Sequence, residues 1–310
     1  MTESLNELEN QPQSNRRRGQ PSNGAARIDF RLPLAEAYCR KIARGHYENF
    51  IVASVLLPAT MRQPFYNVYA FCRYADDLAD ESGSAAIAEE RLANWQIELD
   101  RCFAGRAEHP ITVALADTAA RLGIEQAPFD DLLKAFRQDQ IKTRYADWDE
   151  LMQYCSWSAN PVGRIVLRMA DADTPENIVL SDSVCTGLQL ANHWQDIGRD
   201  WRLGRLYLPQ DAIAAAGVEE AMLTAPRANE AVKRLVESEC RRARRLLIEG
   251  LPLADRVPKW LAADIRLFIH GGLATLDAIA AIGYDTLMYR PRVSYRKRLT
   301  LTLKAVTGRL

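Results

Sequence analysis

Histidine is scarce in this chain, four residues in 310, and cysteine never comes in close pairs. Cys39, Cys72, Cys102, Cys155, Cys185 and Cys240 lie far apart, with no CxxC among them. That spacing speaks against zinc. In a chain this long the six read as core residues of a reducing compartment, not as a disulfide framework. Net charge is missing too, since 40 Lys and Arg balance 40 Asp and Glu. No global field therefore favours nucleic acid, and none is expected as a partner. No apolar run reaches the roughly 18 residues of a membrane span. No GxGxxG follows a strand-like segment, so no nicotinamide site is expected. The opening, residues 1–28, is polar and has no apolar stretch of signal-peptide length. It is expected to lie outside the fold of a cytoplasmic protein.

What is present is helical periodicity. Apolar residues recur at about 3.6 positions through most long segments, and strand-like alternation is rare. The pattern predicts helices near 34–45, 48–57, 61–82, 84–103, 110–122, 128–138, 147–170, 175–201, 208–216, 228–249, 257–283 and 284–290. Prolines fall at the starts and stops of most of these, whereas Pro161 lies inside one and should kink it. No internal repeat is visible. The expectation is an all-α protein with one folded domain, residues 29–295, followed by a basic tail, 296–310.

Two acidic stretches break the apolar pattern. In "YAFCRYADDLADE", Asp76 and Asp80 lie about 40° apart on a helix, and Phe65, Tyr69 and Cys72 fall within about 40° of Asp76. Asp77 and Glu81 point away from that line. In "GLQLANHWQDIGRDWRLGRLYLP", Asn192, Asp196 and Asp200 recur every fourth residue, and Gln189 shares their face. Carboxylates aimed inward are unfavourable unless cations compensate them. Taken alone, the first stretch reads more readily as a solvated helix end. Two such faces could instead meet across a bundle cavity, where metal sites are often built. Oxygen donors without histidine or cysteine suit Mg²⁺, which is commonly shared with substrate phosphates, so the implied partner is a diphosphate. His193 lies about 60° off the acidic line and is left out of the ligand set. Arg73, also about 60° from Asp76, could pair with it.

The same two stretches resemble the paired signatures of the squalene/phytoene synthase family, over essentially residues 34–295. "GHYENFIVASVLLP" and "YCSWSANPVGRIVL" look like its bacterial hopanoid-pathway branch, the hydroxysqualene synthases. The resemblance implies an isoprenoid-synthase helical bundle with a central cavity. It implies Asp76 and Asp80 as one pair of magnesium carboxylates, Asp196 and Asp200 as the other, and Asn192 in support. It places Tyr69 and Arg73 at the diphosphate or the first motif, and Tyr154 in the central cavity. Tyr284 and Arg290 would close the diphosphate end, and His46, Asn49 and Phe50 would flank the first motif. His193 stands where many relatives carry an apolar residue, and Arg199 where an acid is common.

The function so implied is Mg²⁺-dependent ionisation of presqualene diphosphate, with water captured to give hydroxysqualene. Phe65, Tyr69, Tyr154, Trp157 and Trp194 could wall such a cavity, or each could be ordinary core packing. The rival reaction is head-to-head condensation of two farnesyl diphosphates to presqualene diphosphate or squalene. A catalytically silent relative acting in assembly is a third reading, which loss of the aspartates would mark; all four are present. Other enzymes of squalene and hopanoid synthesis are further partners that the resemblance allows. The end of the chain, residues 290–310, has seven basic residues and no acidic one, with leucines interleaved. Peripheral contact with the inner membrane and packing on the bundle are the two readings of it.

Overall fold

Long helices whose ends are fixed by local chemistry build the molecule. The computed structural model describes residues 31–45 and 57–306, all within one compact unit. His46, Asn49, Phe50 and most of the helix expected over 48–57 lie outside the described residues. In chain order the α-helices are α1 (Leu32–Gly45), α2 (Ala59–Asp80), α3 (Ala85–Phe103), α4 (Pro110–Leu122), α5 (Ala127–Gln138) and α6 (Trp148–Ser158). They continue as α7 (Asn160–Met169), α8 (Pro175–Arg202), α9 (Gln210–Ala215), α10 (Glu230–Glu249), α11 (Lys259–Ala281) and α12 (Tyr295–Val306). Short 3₁₀ turns cover Glu220–Thr224 and Leu251–Asp255. Among the described residues there is no strand.

Side-chain caps set several starts. Ser84, Thr174 and Asn229 each accept a backbone N–H three residues on, as N-caps do, and Pro110 and Pro175 occupy the first turn where a missing N–H costs nothing. The segment predicted as one kinked helix over 147–170 is two helices. Ala159 leaves helical geometry just before Pro161, so the proline breaks the element. The short helix expected at 284–290 does not form, because Tyr284 takes a positive φ of 61° and turns the chain. Conversely, most of the tail expected from residue 296 onward is helical, forming α12 against α11.

Two buried clusters organise the bundle. One gathers α1 to α5, with Phe71, Trp95, Leu115 and Phe129 inside it. The other surrounds α8, with α6, α10 and α11 supplying Tyr154, Val236, Leu247 and Ile269. Asn67 fixes α2 on α4 by donating to the Ala114 carbonyl and to Thr118 Oγ1, at 3.3 and 2.9 Å. Thus α2 and α8, which carry the two acidic stretches, are each locked by a separate core.

Candidate active site

The acidic end of α2 lies on a half-buried face, beside its core face. Phe71, Ala75 and Ala79 are the buried line. Phe65, Tyr69, Cys72 and Asp76, expected to point straight inward, run alongside with partial exposure, and Asp80 is exposed. A core position could not hold these carboxylates without full desolvation; a face bordering a cavity can. Arg73 pairs with Asp76 at 2.9 Å and also with Asp77. Asp77 therefore shares the same guanidinium, where the helical wheel sends it away from the line.

On α8 a clamp holds the second stretch. A methyl group at Gly198 would stand 1.9 Å from the Leu287 carbonyl oxygen, so only glycine lets the chain after α11 lie this close. Gly198 donates its N–H to the Thr286 carbonyl, Arg202 donates to the Leu287 carbonyl and Gln195 to the Pro291 carbonyl. The clamp delivers Arg290 to Asp196 as a two-pronged pair at 2.5 and 2.9 Å. Tyr284 packs against the core cluster around α8, and its pKa is raised by burial and then by the charges of Glu237 and Cys240 on α10. Asn192, one turn before Asp196, is exposed on the wall of an apolar cavity of about 370 Å³, formed with Leu188, Leu267, Phe268 and Leu301.

Two residues that sequence reasoning did not single out join the stretches. Asp139, just past α5, accepts a hydrogen bond from the Tyr154 hydroxyl at 3.0 Å, and its other oxygen is buried without a donor. Burial raises its pKa to about 6, Tyr154 and Arg205 oppose the rise, and Asp80 and Asp76 add to it. Asp80, Asp139 and Arg205 line one pocket. Asp200 is likewise pushed up to about 6 by burial and by Asp196, against Arg199, Arg205 and Arg290. Arg205 thus interacts electrostatically with Asp80 and Asp139 and with Asp200. It stands inside the stretch "DWRLGRLYLP", which was the available signal; Asp139, a lone acid in "FRQDQIK", gave none.

An aromatic cluster backs this polar site. Tyr154 packs with Tyr145 and Tyr207, at ring distances of 5.3 and 5.7 Å, and His193 stacks on Tyr207 at 3.6 Å. Burial drives the His193 pKa down to about 3, so the ring is neutral. Trp194 is fully buried core, and Trp157 sits under Lys134 at 3.5 Å. Of the candidate wall residues, Tyr154 borders the acidic site directly, and Phe65 meets Trp260 of α11 edge-on.

Among the described residues, no three histidine, cysteine, aspartate or glutamate side chains converge tightly enough to cage a metal alone. The donor set still fits a hard cation. Each stretch offers oxygen ligands in pairs, the orphaned Asp139 oxygen and the raised Asp200 mark a deficit of positive charge, and Mg²⁺ takes its remaining oxygens from water and phosphate.

Comparison with known proteins agrees with this architecture. The squalene/phytoene synthase family profile matches residues 43–299. A chloroplastic phytoene synthase of an Oncidium hybrid cultivar is 29% identical over 279 residues, covering 86% of this chain; the chain spans 66% of that relative's length. The crystal structure of squalene synthase HpnC from Alicyclobacillus acidocaldarius is 42% identical with a TM-score of 0.79, covering 83% of this chain and 97% of that one. A dehydrosqualene synthase solved with a ligand is 25% identical with a TM-score of 0.81, over 89% and 97%. With the profile spanning most of its length and the same helical architecture in both solved structures, the chain belongs to the squalene/phytoene synthase family of isoprenoid diphosphate-processing enzymes.

Proposed function

We propose that the chain is a hydroxysqualene synthase, ionising presqualene diphosphate and capturing the cation with water. The observation that carries the reading is the Tyr154–Asp139 pair, a buried proton acceptor set between the acidic site and the aromatic cluster. The likeness to the bacterial squalene synthase structure supports squalene-type chemistry, which this reading and its rival share.

Asp76, Asp80, Asp196 and Asp200, with Asn192, would hold Mg²⁺, which when bound absorbs the diphosphate's charge as a Lewis acid. Arg73, Arg205 and Arg290 would turn their guanidiniums to phosphate oxygens, Arg73 and Arg290 by exchanging the aspartates they pair with here for the diphosphate. The carbon–oxygen bond breaks with both electrons leaving on diphosphate. Tyr145, Tyr154 and Tyr207 offer π faces to the carbocation, and neutral His193 adds no opposing charge. Water then forms the new carbon–oxygen bond, and its extra proton passes to Asp139, directly or through the Tyr154 hydroxyl. A carboxylate raised to about 6 is a competent acceptor at neutral pH.

Incubation with presqualene diphosphate and Mg²⁺, read by mass spectrometry, should give hydroxysqualene and diphosphate. Tyr154→Phe should shift the ratio of alcohol to hydrocarbon products more than it slows diphosphate release. An unchanged product ratio would reduce Tyr154 to cavity wall. Head-to-head condensation of two farnesyl diphosphates is the second reading, favoured by the phytoene synthase relatives. Labelled farnesyl diphosphate supplied alone decides between them, since its consumption establishes condensation.

A further inference from the structure

Helix α12 has two apolar faces, and packing on the bundle uses one. Leu301 and Ala305 are buried, on the side that meets α11. Tyr295, Leu299 and Leu303 recur every fourth residue elsewhere on the helix, 73%, 47% and 56% exposed. At about 100° per residue these three span about 80°, centred some 140° from the buried pair. Arg296, Lys297 and Lys304 fall in the arc between the two faces, all exposed. The helix packs on α11, where burial and then the charges of Lys304 and Lys297 lower the His270 pKa. After Asp285 the sequence has no acidic residue and seven basic ones.

Single exposed leucines mean little, but three large apolar side chains aligned in a stripe and flanked by cations form the pattern of a helix lying in a lipid interface. We propose that the outer face of α12 docks on an anionic lipid bilayer. Tyr295, Leu299 and Leu303 enter the boundary between headgroups and acyl chains, and Arg296, Lys297 and Lys304 meet the headgroup phosphates. Charge selects this occupant. A second copy of the chain, seated on the same face by a two-fold axis, would bring these cations against their own kind. Through Arg298, Leu301 and Thr302 the same helix walls the apolar cavity that Phe268 and Asn192 also line. Docking would set that cavity beside the bilayer, where long hydrocarbon substrates and products dissolve. The surface itself rests on α12 alone, so a failed turnover assay leaves vesicle binding open to test.

The full chain should sediment with phosphatidylglycerol-rich vesicles, lose that binding as salt rises, and stay in solution with pure phosphatidylcholine. Tyr295→Ser with Leu299→Ser, and separately Arg296→Glu with Lys297→Glu, should each weaken partitioning roughly tenfold or more. Their melting temperatures and their turnover of detergent-dispersed substrate should match the parent. Equal binding by the parent and both variants overturns the proposal, as does equal binding to neutral vesicles. A concentration-dependent dimer by light scattering that Tyr295→Ser with Leu299→Ser abolishes, without vesicle binding, assigns the face to a second copy and also overturns it.

Discussion

Asp264 is 3% exposed, and one of its carboxylate oxygens is buried with no hydrogen-bond donor. It stands on α11 one turn from Trp260 and one turn from Phe268, along the helix face that borders the cavity. Burial raises its pKa to about 7, and nothing opposes the rise. The folded state therefore holds this proton more tightly than the unfolded chain, whose aspartate titrates near the ordinary value. Its contribution to stability is present at low pH and is lost as pH climbs from about 4 to about 7. A difference of that size between folded and unfolded chain makes the loss on the order of a few kcal/mol. Asp264→Asn should melt higher than the parent at pH 8, and the gap should close by pH 4. A gap independent of pH would mean that Asp264 is ionised in a solvated setting. Asp76→Asn and Asp196→Asn are different in kind. Each should abolish turnover with substrate and saturating Mg²⁺ while leaving the metal-free melting temperature within a few degrees, because each lost arginine contact is offset by relief of carboxylate repulsion. An active Asp76→Asn enzyme would falsify the metal-holding role.

At the scale of elements, the junction of α8 with the segment after α11 is the most exacting contact of the site. Gly198→Ala must push the Leu287 carbonyl away by more than an ångström, since the added methyl lands on backbone and not on a flexible side chain. Overpacking of this sort costs about 1–3 kcal/mol, and here it also pulls Arg290 from Asp196. The expected result is a lower melting point together with a large loss of turnover. Gly271→Ala is the control: nothing lies within 4 Å of its added methyl, and alanine favours helix by up to about 1 kcal/mol. It should be neutral or slightly stabilising. Most helices were legible because a one-sided apolar stripe sets their period. The exceptions have physical causes. Pro161 broke a segment that periodicity joined, and α12 was obscured because its apolar residues serve two faces, which blurs a single stripe.

For the whole molecule, the two aspartate stretches could be read from sequence because each repeats at helical spacing, whereas Asp139 enters the site only through the fold and Arg205 was marked only by its place beside the second stretch. Their arrival changes the charge count. Six carboxylates, Asp76, Asp77, Asp80, Asp139, Asp196 and Asp200, meet four guanidiniums, Arg73, Arg199, Arg205 and Arg290, an excess of negative charge that the proposed cations would complete. Asp200, raised to about 6 first by burial and then by Asp196, reports that excess. Its folded pKa lies above its unfolded one, so without metal its ionisation opposes folding, and stability drains away as pH rises from about 4 to about 6. Buried neutral His193 pulls in the opposite sense below about pH 6.5, which is why the comparison must be made against a variant and not across pH alone. In chelator at pH 7.5, Asp200→Asn should melt above the parent, with the advantage gone by pH 4. Mg²⁺ with inorganic diphosphate should then reverse the order at pH 7.5, because the parent gains a ligand that the variant holds poorly and binding stabilises only the state that binds. If the two proteins rise equally on adding Mg²⁺ and diphosphate, the carboxylates of α8 are not part of the cation site.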